Sequence, residues 1–247
     1  ILVPVANPQT QENLLSLASL LVDRVHGTLY PLHVLREVNG KVQGLEQQRL
    51  LMERLPEILH DPDTPIQLLQ RVDSAIGRGI LRSAVEQNAS MIVMGWRGKS
   101  TYHANLFGSD VDEVLWKAHV PVLVARLERP INSLRRVVWA VLPDATTDDA
   151  QGMVMTLTRA LNVPLLVMAN EVQQVLLQKA LSIWQHPLQF RRTRPQEMRQ
   201  ALLGLEADDL LVLVARSERP GFRSAIGNEP EQFAALFPGS IAVIRLL

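Results

Sequence analysis

Twice over, and in the same order, short runs of branched apolar residues alternate with segments whose apolar residues recur at helical spacing. In the first half the runs are Ile1 to Val5, Thr28 to Arg36, Ile66 to Val72, Ser90 to Met94 and Pro121 to Ala125. In the second they are Val137 to Leu142, Pro164 to Ala169, a weaker one over His186 to Arg191, Asp209 to Ala215 and Ser240 to Arg245. Runs this short and this apolar predict strands buried on both faces. The segments between them predict helices. Gln11 to His26 places Leu14, Leu17, Ala18, Leu21 and Val25 on one side, and Leu45 to His60, Ser74 to Gln87 and Ser109 to Ala118 complete the first half. Thr146 to Leu161, Glu171 to Ile183, Gln196 to Leu205 and Glu229 to Leu236 serve the second. Such alternation builds a parallel sheet wound with helices on both faces, so the fold class is α/β.

The polar connector Glu128-Arg-Pro-Ile-Asn-Ser133 divides the chain into domains over 1–128 and 129–247. A length of 247 residues suits that division, since it fits two domains of roughly 100 to 150 residues each. Setting Gly227-Asn228 under Gly108-Ser109 also aligns Val243 with Val124 and Arg245 with Arg126 without a gap, so the halves read as diverged copies. No apolar run approaches the ~18 to 20 residues of a membrane span. The formal net charge is zero with Lys and Arg scattered, which argues against nucleic acid as a partner. The absence of cysteine excludes a disulfide framework and a thiolate metal site. The chain starts at Ile1 inside a strand and stops at Leu247 on another, and the expectation is a segment of a longer polypeptide.

The stretch that carries chemistry runs from Met91 to Ser109. Its apolar strand stops at Gly95, a second glycine follows at Gly98, and after nine more residues comes Gly108-Ser109. Gly95 and Gly98 remove side chains where backbone must approach a ligand, while Gly108-Ser109 opens a helix whose free amides and hydroxyl suit an anion. Lys99 or Arg97 would add charge-assisted contacts. The plainer alternative is a strand, a loop and a capped helix, which any α/β protein contains. In the second half Ala215 stands near the place of Gly95 and Glu218 near that of Gly98, with the loop one residue shorter. Gly98-Lys99-Ser100 is not a P-loop, because Val93 occupies the position that motif reserves for glycine. The six histidines show no metal-ligand spacing and read as surface or packing residues. Asp110, Asp112 and Glu113 complement the helix dipole, and the four tryptophans read as packing or interface residues, with Trp96, inside the loop, placed where it could also cover a ligand.

The spacing Gly95-Trp-Arg-Gly98, nine residues, Gly108-Ser109 resembles the signature of nucleotide-binding members of the universal stress protein family, here in tandem form. The opening Ile-Leu-Val-Pro-Val, Leu32-His-Val34, Val93-Met-Gly95 and Pro121-Val-Leu-Val124 extend the resemblance over the first half. The second half is covered by element order alone. The resemblance implies two adenine-nucleotide α-hydrolase-like domains, each a doubly wound five-stranded parallel sheet, packed as a pseudo-dimer. It implies ATP, ADP or AMP, or a cyclic adenine dinucleotide, lying across the carboxyl ends of the first, second and fourth strands, with magnesium accompanying ATP. The implied site residues are Pro4, Val5, Ala6, Asn7, Val34, Met94, Gly95, Arg97, Gly98, Gly108 and Ser109. One departure stands out: ATP-binding members carry an acid directly after the first strand, where this chain has Ala6 and then Asn7, a hydrogen-bonding residue without charge. The function implied is a non-enzymatic, cytoplasmic regulatory module. It would be the C-terminal part of a monovalent cation/proton antiporter, fused to an N-terminal membrane transport domain and forming a homodimer. Two alternatives are a free-standing tandem stress protein with slow ATP hydrolysis, and a scaffold with an empty pocket whose role is dimerisation.

Overall fold

The apolar runs become strands in a computed structural model that describes residues 1–6, 11–22, 26–43, 45–46, 49, 53, 64–96, 107–142, 148–216 and 226–247. Contacts divide the chain into two units, Ile1–Ala125 with Leu247, and Arg126–Leu246.

In the first unit the parallel strands are β1 (Leu2–Pro4), β2 (Tyr30–Val38), β4 (Leu69–Asp73), β5 (Ile92–Gly95) and β6 (Val122–Arg126). They pair in the order β4-β2-β1-β5-β6, so the direction of winding reverses between β1 and β5. A short further strand, β3 (Lys41–Gln43), folds back antiparallel on the end of β2 through Asn39 and Gly40, both at positive φ. This hairpin adds to the five parallel strands expected, and its Asn-Gly turn has the geometry that joins two twisted strands with two residues. The helices are α1 (Gln11–Leu21), α2 (Ile76–Glu86) and α3 (Ser109–Lys117). Most of the helix expected over Leu45 to His60 lies outside the described residues.

The two glycines of α2 have separate packing reasons. A Cβ on Gly79 would stand 2.7 Å from Val34 Cγ1, so this glycine lets the helix lie directly on β2. A Cβ on Gly77 would stand 2.5 Å from Glu113 Oε2, so the other lets α2 approach α3. Just before the helix, buried Asp73 accepts from Arg78 Nε at 2.8 Å, Arg82 at 3.1 Å and the Ala75 amide at 3.3 Å. Burial opposes ionisation of Asp73, but these hydrogen bonds and the two guanidinium charges outweigh it and hold its carboxyl below the usual range.

The second unit repeats the plan with β7 (Arg136–Ala140), β8 (Leu165–Ala169), β9 (Leu188–Arg192), β10 (Asp209–Arg216) and β11 (Ser240–Leu246). All pair in parallel, in the order β9-β8-β7-β10-β11. Its helices are α4 (Asp148–Leu161), α5 (Glu171–Ala180), α6 (Pro195–Leu203) and α7 (Asn228–Leu236). Trp139 in β7 is fully buried, as are most side chains of β8, β10 and β11. At the amino ends of β7 and β10, Arg136 grips Asp209 with two bonds of 2.8 and 2.7 Å, and that carboxylate holds the guanidinium above its usual pKa. Helix α5 starts on a capping box in which the Asn170 side chain accepts from the Gln173 amide and the Gln173 side chain accepts from the Asn170 amide. It ends three residues before the expected Ile183, in a turn that continues its direction.

Candidate functional site

The carboxyl ends of β1 and β5 meet where the winding reverses, the place where open parallel sheets leave a crevice. Here β1 gives out at Pro4, which has no amide hydrogen to offer. The Val5 amide still reaches the Leu32 carbonyl at 2.9 Å, and Ala6 stands exposed. Beside it on β2 is half-buried Val34, and on β5 buried Met94 is followed by exposed Gly95. Pro4, Val5, Ala6, Val34, Met94 and Gly95 are therefore gathered at the carboxyl ends of three adjacent strands. Asn7, Arg97 and Gly98 lie outside the described residues.

Gly108 and Ser109 begin α3. Gly108 caps the helix with φ 92° and ψ 159°, a region that is essentially glycine's own, and its carbonyl takes the first helical bond from the Asp112 amide at 3.0 Å. Among the described residues no side chain caps this terminus, and Ser109 is exposed, the setting in which first-turn amides suit an anion. Trp96 and Phe107, at the two ends of the intervening segment, are both buried, with ring centroids 4.9 Å apart in an edge-to-face contact. Trp96 thus packs inward against Phe107.

Two polar residues of this region were not expected. His33 is buried, and its Nδ1 lies 2.9 Å from the Val5 carbonyl; since a carbonyl only accepts, that nitrogen carries the proton. The bond fixes the backbone where β1 turns off the sheet, and the buried Nε2 has no hydrogen-bond partner among the described residues. Gln11 opens α1 almost wholly buried, with both amide atoms unpartnered. A signal for Gln11 existed: it precedes Leu14, Leu15 and Ala18 at three, four and seven residues and so belongs to the buried stripe.

The second unit shows the same crevice without a glycine at the end of its fourth strand. Its Val141 amide reaches the Met168 carbonyl at 2.9 Å, the counterpart of Val5 on Leu32. Its α7 is capped by Gly227 at φ 87° and ψ 158°, nearly the values of Gly108. The sheet register corrects the expected alignment by one residue. Val214 sits opposite Ile244 as Gly95 sits opposite Ala125, so Val214, not Ala215, stands in the place of Gly95. Gly227 also follows Val214 at the same interval as Gly108 follows Gly95, so no residue is missing; Glu218 lies outside the described residues. Val214 is buried, and the Gln173 carboxamide donates to the Leu142 carbonyl at 3.0 Å inside the crevice. Among the described residues Pro195, Met198 and Phe233 close in around it, leaving a cavity of about 20 Å³. That volume admits a single water.

Each unit is thus a doubly wound α/β domain with strand order three-two-one-four-five. Residues 1–126 match the model of the universal stress protein family, and the chain belongs to that family. It is also similar to the sodium/proton antiporter NhaS5 of Synechocystis sp., with 32% identity over 147 residues, 57% of this chain. The match spans 21% of the antiporter's length. Among solved structures, a universal stress protein from Archaeoglobus fulgidus superposes with a TM-score of 0.65 at 17% identity, covering 98% of this chain and 97% of its own. The cytoplasmic domain of a prokaryotic cation chloride cotransporter superposes with a TM-score of 0.62 at 12% identity, covering 98% and 93%. At these identities the two likenesses are of fold.

Proposed function

We propose that the first unit binds an adenine nucleotide in the crevice between β1 and β5, and that the chain is a cytoplasmic regulatory module of a monovalent cation/proton antiporter, acting by occupancy and not by turnover. The observation that carries the binding is Gly95. It is exposed, its φ lies outside the left-handed region, and among the described residues an added Cβ would meet only Leu14 Cδ2 at an ordinary 3.6 Å. The packing of the described residues does not require glycine there, so the space beside it is read as room for a ligand. Val5, Ala6, Val34 and Met94 offer the base an apolar surface, while Gly108 and Ser109 present amides to phosphate oxygens. Arg97, Gly98 and Asn7 complete the set as expectations. Among the described residues no three His, Asp or Glu side chains are grouped around a metal position, so magnesium would arrive on the phosphates of ATP. The transporter assignment rests on the 32% identity to the antiporter.

Calorimetry with AMP, ADP, ATP and cyclic adenine dinucleotides tests the binding. One site per chain is expected, weakened at least about tenfold by Gly95→Ala, a loss of roughly 1.4 kcal/mol. No heat with any of these nucleotides would favour the scaffold. ATP turnover that vanishes in Ser109→Ala would overturn the non-enzymatic assignment. For regulation, the transporter that carries this chain, reconstituted in vesicles, should change its exchange rate with nucleotide on the side of this domain. The nucleotide must bind one transport state more tightly than the other, since equal affinity shifts nothing.

A further inference from the structure

Helix α5 of the second unit wears its apolar residues on the outside. Val172, Val175, Leu176 and Ile183 are 70, 62, 56 and 88% exposed, while Gln173, Leu177 and Leu181 face the sheet. Val175 and Leu176 follow Val172 at three and four residues, one side of the helix, and Ile183 stands exposed in the turn just beyond its end at Ala180. A surface helix ordinarily turns charged and polar side chains to water, so this stripe is suited to being covered. Its charges are placed at its two ends. Glu171 stands at the amino end and Lys179 near the carboxyl end; both are exposed, and Glu171 also meets Arg192 of β9.

We propose that this face docks a second copy of the chain, with α5 lying antiparallel to its counterpart about a two-fold axis near Val175 and Leu176. A two-fold interface must be complementary to itself, residue i on one copy meeting j on the other and j meeting i. Reversing the helix about that axis brings Val172 onto the aliphatic stem of Lys179 and the Glu171 carboxylate to the Lys179 ammonium, twice by symmetry. A parallel copy would set Glu171 against Glu171. The four apolar side chains and the lysine stem supply on the order of 500 Å² per copy, about 1,000 Å² together, at the lower limit for a specific interface. The association is therefore reversible and concentration-dependent. It uses no residue of the nucleotide crevice and stands whether or not that crevice binds nucleotide.

Sedimentation equilibrium of the 247-residue chain over roughly 5 to 200 μM tests it, because dimer formation follows mass action. The weight-average mass is expected to rise from 27.6 kDa toward twice that value. Val175→Glu with Leu176→Glu should hold it at the monomer. Val85→Glu, on α2 at a site 57% exposed, should leave association unchanged. Since the chain has no cysteine, mild oxidation of Leu176→Cys should give one cross-linked species of double mass, and Val85→Cys none. Glu171→Lys should weaken association several-fold, and adding Lys179→Glu should restore it. A chain that stays monomeric throughout, including one whose stripe is covered only by other parts of a longer polypeptide, overturns the proposal. So does association that survives the double glutamate, or a Leu176→Cys protein that does not cross-link.

Discussion

The two crevices are built on the same frame and finished differently. Val5 on Leu32 and Val141 on Met168 end the first strand of each unit with a bond of the same length, and Gly108 and Gly227 cap the last helix with φ of 92° and 87°. Between those points the units diverge. The first leaves Gly95 bare; the second places Val214 there, threads the Gln173 amide onto the Leu142 carbonyl and keeps about 20 Å³. The difference separates two reasons for a glycine. Gly108 and Gly227 are demanded by the backbone and persist in both units, whereas Gly95, present in one, meets no demand for glycine among the described residues.

The sharpest way to break this comparison is to install the second unit's residue in the first. Gly95→Val should reduce nucleotide affinity by 100-fold or more in calorimetry, about 2.7 kcal/mol, while shifting unfolding by no more than about 1 kcal/mol. Equal losses of binding and stability would mean that Gly95 serves the fold after all. Next, Gly108→Ala and Gly227→Ala should each cost about 1–3 kcal/mol in denaturant unfolding, since alanine is strained at that φ and ψ. Only the first should also lower affinity.

Within the first unit, Gly79→Ala drives a methyl to 2.7 Å from Val34 Cγ1, against the wall of the crevice, and should cost about 1–3 kcal/mol. Gly77→Ala meets Glu113 Oε2 at 2.5 Å, which can swing aside, but also Glu113 Cβ at 3.1 Å, which moves only with α3. It should cost less than Gly79→Ala in the same measurement, about 1–2 kcal/mol, because the helix propensity that alanine gains offsets part of the crowding. The smallest effect expected is on acid stability. Because the Asp73 carboxyl is held below its unfolded value near 3.9, its contribution is complete above that value and is lost as pH falls through the lowered folded pKa. Asp73→Asn should lower stability by about 1 kcal/mol at pH 7 and flatten that acid slope. Hydrogen exchange resolved by unit should place the change in the first unit.

Much of the fold was legible because strands buried on both faces read as unbroken apolar runs, and the helix stripes between them have an unmistakable period. The same property hid the register. Within Leu210 to Ala215 nothing in an unbroken apolar run tells one position from its neighbour, so Ala215 was set where sheet pairing puts Val214. Strand β3 escaped because Lys41, Val42 and Gln43 are all exposed and carry no apolar alternation. Gln11 escaped for the opposite reason: a polar residue suggests surface, and only burial shows it to lie inside; His33 is one of the histidines that pack, and its bond to the Val5 carbonyl lies beyond any local pattern. At the candidate site the positions at strand ends were legible from glycine spacing, whereas the filled state of the second crevice depends on Gln173, a long-range contact that no local pattern announces.

The contact of Trp96 with Phe107 has a wider consequence. Two buried rings in contact hold the end of β5 and the start of α3 together, so both points are fixed by packing. Lengthening a chain between two fixed ends is cheap, since each doubling adds only about 0.6 kcal/mol of closure entropy. The sequence joining these two anchors can therefore change while the sheet beneath them is left alone.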